Sequence, residues 1–462
     1  MDDPSRAARR IRSLLPVLVV LCALAQLGAV LGVTGFVVDA TSSTSQRAHD
    51  RVFGSPGQPS TNADEQHANA RRIAIAALLE RRSAAFLSRD REAFAATLDP
   101  QDAAFRQTQV GVFDNIAEVP FAGWEYEIVT PGAFELSAAR ASALAAPTFT
   151  AQVDLLYRIT GHDVTPVRVP QYLTFVLRSG EWFLAADTDG AAAGMRTPTQ
   201  LWDLGPVTVV QGTHSTVLGI GTRAVLRRFA QDADRAAPAV SGVWGQSWPG
   251  RTVVVVPATQ AQMARLLGAE PSKYARIAAV TTGERGASAS AAPADRVIVN
   301  PDAFRELGDL ERRVVMVHEI THVASRSFTR SWTPTWLSEG FADYIGYLDS
   351  AQTMRTAAPE LRRDVKAGKV PARLPTDASF ETTQEELPQA YEMGWLACKL
   401  IAERWGRDKL VELYRALGAE PPPGVGAPDP PSALASAMVS VLATNPDAFT
   451  KTWIDYLRTQ AE

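Results

Sequence analysis

The pattern of apolar and polar positions changes character several times along the chain. Residues 14–38 form a run of 25 residues without a formal charge. As a helix it would reach about 37 Å, enough to span a hydrocarbon core of ~30 Å with some tilt. Residues 41–66 are rich in Ser, Thr, Gln, Asn, Gly and Pro and read as a flexible stalk. From 68 to 98 the period is helical, with Ile73, Ile75, Leu78, Leu79, Phe86 and Phe94 on one apolar stripe. Strand-like alternation follows at 124–128, 152–157, 171–177 and 182–187, the last two flanking a turn at Arg178-Ser179-Gly180-Glu181.

A second unit starts near Pro206. Residues 207–210, 252–256 and 296–300 read as strands, with a helix over 222–236 between the first two. The small residues of 283–290 mark a surface loop. Beyond Leu307 the pattern is mainly helical to the end, broken by a proline-rich loop at 421–431.

Composition narrows the function classes. The chain has 462 residues with 46 basic and 50 acidic side chains, a net charge of −4, so nothing marks a nucleic-acid partner. Cys22 and Cys398 lie far apart in unlike surroundings, which excludes a disulfide scaffold and a CxxC zinc ribbon. Arg6, Arg9, Arg10 and Arg12 precede the uncharged run and predict a single-pass cell-membrane anchor, with a cytoplasmic N-terminus and everything after Asp39 outside. A cleaved signal peptide is the rival, but its apolar core would be only ~7–15 residues.

The candidate chemistry lies at His318-Glu319-Ile320-Thr321-His322, inside an apolar-periodic helix beginning near Asp309. At about 100° per residue, His318 and His322 project about 40° apart and can reach one metal ion. Glu319 lies about 60° from His322, placed to take a proton from an activated water. Downstream, in Trp336-Leu337-Ser338-Glu339-Gly340-Phe341-Ala342-Asp343, two carboxylates again stand four apart among apolar neighbours. Glu339 would complete a His2Glu set with a position left open, and Asp343 could hold a histidine N–H. Read alone, each segment also fits an ordinary helix. His49, His67, His162 and His214 have no ligand spacing.

These residues resemble the gluzincin metallopeptidases, the peptidase MA-like group related to thermolysin and to zinc aminopeptidases. His318–His322 matches HExxH, Glu339 the distal glutamate in a WLxEG context, and Asp343 the acidic partner. Tyr391-Glu392-Met393-Gly394 is similar to the aminopeptidases' tyrosine-x-lysine-glycine segment, which implies that Tyr391 stabilises the oxyanion. The alternative is a core tyrosine on a helix face. The family lysine is Met393 here, and no glycine-x-methionine-glutamate-asparagine segment precedes the catalytic helix, so a grip on a free α-amine is not implied. The resemblance covers roughly residues 206–417. It implies one zinc ion per chain, a peptide or protein substrate, and extended-peptide pairing along the strand that ends at Asn300, taken as the sheet edge.

The expected fold class is therefore α+β. It comprises a basic segment and transmembrane helix (1–40), a stalk (41–66), a scaffold domain (67–200) and a metallopeptidase domain with a small sheet followed by helices (201–462). The element order of the scaffold domain looks like the cone-shaped nuclear transport factor 2-like domains, although no motif carries that likeness. The expected function is zinc-dependent peptide hydrolysis with Glu319 as general base. Two alternatives stand beside it: a binding or assembly protein with a non-catalytic zinc site, and a hydrolase of non-peptide amide or cell-wall linkages.

Overall fold

A computed structural model describes residues 62–275, 277–282, 295–381, 384–421 and 426–462. The expected transmembrane helix at 14–38 lies outside these residues, as do most of the expected stalk and the loop at 283–290. Among the described residues no helix is long and apolar enough to cross a membrane. The expectation of a single-pass membrane fold and cell-membrane placement is corrected accordingly, and the fold is α+β without a membrane span in the described part.

The first unit opens with helix α1 (Asn62–Leu87), which takes in the end of the expected stalk. The single helix read over 68–98 is in fact interrupted. Arg89 adopts a left-handed φ of 59°, and the Asp90 carboxylate caps a new short helix, α2 (Arg91–Ala95), by accepting from Ala93 N at 2.9 Å. An aspartate after a turn residue favours a helix start over helix continuation. Helix α3 (Ala103–Asn115) is capped in the same way by Asp102. Of the expected stripe, Ile75, Leu78, Leu79, Phe86 and Phe94 are buried, whereas Ile73 is 62% exposed.

Four antiparallel strands follow as a meander: β1 (Phe121–Pro131), β2 (Thr148–Ile159), β3 (Val167–Arg178) and β4 (Glu181–Ala186). Ser179 and Gly180 both have positive φ, 51° and 87°, and form the tight connection expected between β3 and β4. Such a two-residue turn matches the right-handed twist of paired strands. Ile75, Leu78 and Leu79 of α1 pack on Phe149, Val153 and Phe175 of the sheet, and Phe86 stacks on Trp124 at 3.8 Å between ring centroids.

The second unit holds five strands where three were expected: β5 (Thr208–Gln211), β6 (Ser215–Gly219), β7 (Thr252–Val256), β8 (Ala279–Thr282) and β9 (Arg296–Val299), in the order β5-β6-β7-β9-β8. β6, β7 and β9 are parallel, and β8 pairs antiparallel with β9. The strand before Asn300 is thus interior, and among the described residues the edge belongs to β8. Helix α4 (Arg223–Trp244) crosses between β6 and β7. It runs eight residues past the expected end, through Pro238, because the buried stripe continues with Ala237, Val240 and Trp244.

Helices then dominate. Helices α5 (Asp309–Ser325), α6 (Thr335–Tyr347) and α8 (Leu387–Trp405) carry the candidate residues, and α7 (Pro359–Lys366) packs against α8. The two units share buried contacts. Arg296 of β9 donates to both oxygens of Asp163 at 2.8 and 2.6 Å, and His162 Nε2 lies 2.7 Å from Thr216 Oγ1. Trp202, at the junction, packs against Phe121, Trp124 and Tyr157 of the first unit.

Candidate metal centre

Helix α5 carries His318, Glu319 and His322, and it is buried around most of its second half: Val314, Val315, Met316, Val317 and Ile320 contribute to the core. Burial on several sides explains why its polar residues face protein on every flank. Helix α6 starts after Pro334, whose fixed φ suits a helix entry. Thr335 N, at that free helix end, donates to Asp377 at 2.8 Å. Glu339 and Asp343 follow on the face turned to α5.

The structure brings the expected ligands together. His318, His322 and Glu339 are all buried and offer ligand atoms within 4.8 Å of one another. His318 Nε2 is 3.0 Å from His322 Nε2 and 3.2 Å from Glu339 Oε2, and His322 Nε2 is 3.5 Å from the same oxygen. On its other side, His318 Nδ1 is 2.8 Å from Asp343 Oδ1. A carboxylate there requires the proton on Nδ1, which leaves the Nε2 lone pair facing the cluster when the ring is neutral.

The electrostatics ask for a cation. Burial alone would lower the His318 pKa, but the Asp343 and Glu339 carboxylates outweigh it and raise the value to about 10. Burial likewise opposes the Glu339 charge, yet His322 and His318 bring its pKa down to about 2. Burial pushes the Asp343 pKa up against the pull of His318. Both Glu339 oxygens are buried without a hydrogen-bond partner. Two ring nitrogens and a carboxylate with unused lone pairs, converging in a dry volume, fit a bound metal ion, which would satisfy all three at once. The His318–His322–Glu339 group could hold a metal.

Glu319 is 1% exposed and stands beside this group. Its Oε2 accepts from the Thr281 hydroxyl of β8 at 2.6 Å, and its Oε1 is buried with no partner. The sequence reading missed Thr281 altogether, because β8 is a four-residue strand next to a small-residue loop and carried no strand signal of its own.

Tyr391 lies in the first turns of α8, 2% exposed. Its ring centroid is 6.5 Å from that of His318 and 5.2 Å from that of Phe380, which it meets nearly edge-on. The chain thus brings the Tyr391 ring close to that of His318. Met393, where the family lysine would stand, is partly buried against the core. Glu392 is turned away to α7, accepting from Leu361 N at 2.6 Å and Glu360 N at 3.3 Å.

No family model matches the chain, and no curated protein matches it.

Proposed function

We propose that the protein is a zinc-dependent metallopeptidase of the gluzincin kind. The observation that carries this reading is the convergence of His318, His322 and Glu339, with Glu319 next to His318 on the same helix and one of its carboxylate oxygens unengaged. Imidazole and carboxylate donors with one position open suit zinc among the common divalent ions. Bound at these three residues, zinc supplies Lewis-acid polarisation of the scissile carbonyl and activation of water.

The chain's own groups do the rest. Glu319 Oε1 accepts the proton of the attacking water and delivers it to the leaving amine. Asp343 holds the His318 ring in one tautomer and orientation. The Tyr391 hydroxyl donates to the oxyanion that develops on the carbonyl oxygen. Strand β8, last in the strand order where β9 is interior, would align an extended peptide by backbone pairing. Purified full-length protein should contain one zinc per chain and cleave members of a diverse peptide library, with cleavage abolished by a chelator. Failure to cleave any peptide while holding zinc would defeat the reading.

One observation favours a second reading, a non-catalytic zinc site in a binding or assembly protein. Every residue of the site is at most 5% exposed, from His318 at 0% to Asp343 at 5%. A structural site is closed in this way, but it has no use for an unengaged carboxylate such as Glu319 Oε1. Exchange of Glu319 for Gln separates the two readings, since only an enzyme would lose a function through it.

A further inference from the structure

We propose that Thr281 is the positioning residue of this site: its hydroxyl holds one oxygen of Glu319 so that the other is presented for proton transfer. The inference rests on the peptidase reading and adds to it a residue outside the motifs. Three observations combine. Thr281 is 1% exposed on the edge strand β8, so its hydroxyl cannot turn to water. That hydroxyl lies 2.6 Å from Glu319 Oε2 and 3.0 Å from the Glu319 carbonyl oxygen. Glu319 Oε1 is buried and has no partner.

A hydroxyl has one proton to give. The shorter contact is to an oxygen that is charged in the working state, and charge-assisted bonds of this kind are the short, strong ones. The proton therefore belongs to Oε2, and the carbonyl contact is secondary. With Oε2 tied to β8, rotation of the carboxylate about its last torsion is arrested. That torsion is otherwise broad and soft. Oε1 is then the one oxygen of the carboxylate free to accept a proton, and its place is fixed.

Thr281→Val removes the hydroxyl and keeps the side-chain shape, whereas Thr281→Ser keeps the hydroxyl. With a cleaved peptide in hand, Thr281→Val should lower kcat about 10- to 100-fold, the scale of losing one hydrogen bond to a charged group. KM should stay within about twofold, zinc should remain one per chain, and Thr281→Ser should recover most of kcat. A kcat within about twofold of wild type in Thr281→Val would overturn the proposal. So would equal losses in both variants, which point to packing.

Crystal structures of wild type and both variants supply a readout that needs no substrate. The Glu319 carboxylate should turn or split into several orientations in Thr281→Val and hold its place in Thr281→Ser. An unchanged carboxylate in Thr281→Val would overturn the proposal even if no peptide were ever cleaved. Conversely, no cleavage by wild type together with the expected reorientation in Thr281→Val condemns the peptidase reading and leaves the positioning of the carboxylate standing.

Discussion

Gly340 and Gly394 touch backbone to backbone. A Cβ added to Gly340 would collide with the carbonyl of Gly394, and one added to Gly394 would lie 2.8 Å from the carbonyl oxygen of Trp336. Gly340 follows the ligand Glu339 on α6, and Gly394 stands three residues after Tyr391 on α8. The crossing point of these helices therefore brings Tyr391 and Glu339 to the same small volume. The two glycines in the motif segments serve helix approach, not turn formation.

Gly340→Ala should then push α6 and α8 apart. Overpacking of this kind costs ~1–3 kcal/mol or more, and no side-chain rotamer can relieve a clash with backbone. Urea unfolding should show the loss, together with weaker zinc retention than in wild type. Wild-type stability in this variant would contradict the close approach.

The buried pair between Asp163 and Arg296 makes a second claim, about the junction of the two units. The Asp163 side chain is fully buried and also accepts from Ile159 N at 2.7 Å. Asp163→Asn leaves a buried guanidinium without its counter-charge, for an expected loss of ~3–5 kcal/mol. A double variant with Arg296→Met should recover part of it. Chemical denaturation of the three variants checks both statements.

Glu392 predicts a pH dependence of stability. Burial, reinforced by the neighbouring Glu360, raises its pKa from the usual carboxylate range to about 9. Below about pH 4.5 folded and unfolded chains both hold the proton. Between 4.5 and 9 the unfolded chain releases it while the folded one keeps it, so stability falls as pH rises through that window. Glu392→Gln mimics the protonated form and can donate to Glu360, whose Oε2 is buried without a partner. The variant should therefore lose less stability than wild type between pH 5 and pH 8.5. Equal losses of unfolding free energy between the two pH values in wild type and variant, read from urea titrations, would contradict the assignment.

Tyr391→Phe tests the oxyanion role. The hydroxyl is removed and the packing against Phe380 is kept. Loss of one such donor lowers kcat by ~10²–10³-fold, with KM and zinc content nearly unchanged. A normal kcat would make Tyr391 a core aromatic and leave the metal site untouched.

Much of this was legible in the sequence for physical reasons. β1 announces itself because more buried positions such as Trp124 and Tyr126 alternate with exposed ones such as Glu125 and Glu127. The residues Ser179 and Gly180 suit the positive φ that the connection needs. His318, His322, Glu339 and Asp343 were legible because helical spacing fixes which side chains share a face. β6 was hidden by the opposite cause: Ser215–Gly219 is buried at every position, so it has no alternation. β8 is four residues long, and with it Thr281 and the true sheet edge stayed out of sight. The break at Arg89 reflects a capping aspartate that outcompetes the apolar stripe, which no period shows. The membrane helix read at 14–38 rested on length and charge alone, and no described element has that character.

The central claim, that this is a working hydrolytic site and not a structural metal cluster, is tested most directly by Glu319→Gln. Zinc content and peptide cleavage are measured side by side on purified wild type and variant. The account predicts one zinc per chain in both, chelator-sensitive cleavage in wild type, and a loss of ~10²-fold or more in the variant, the scale of a missing general base. Equal cleavage by the two proteins, or zinc in both with cleavage in neither, would contradict it.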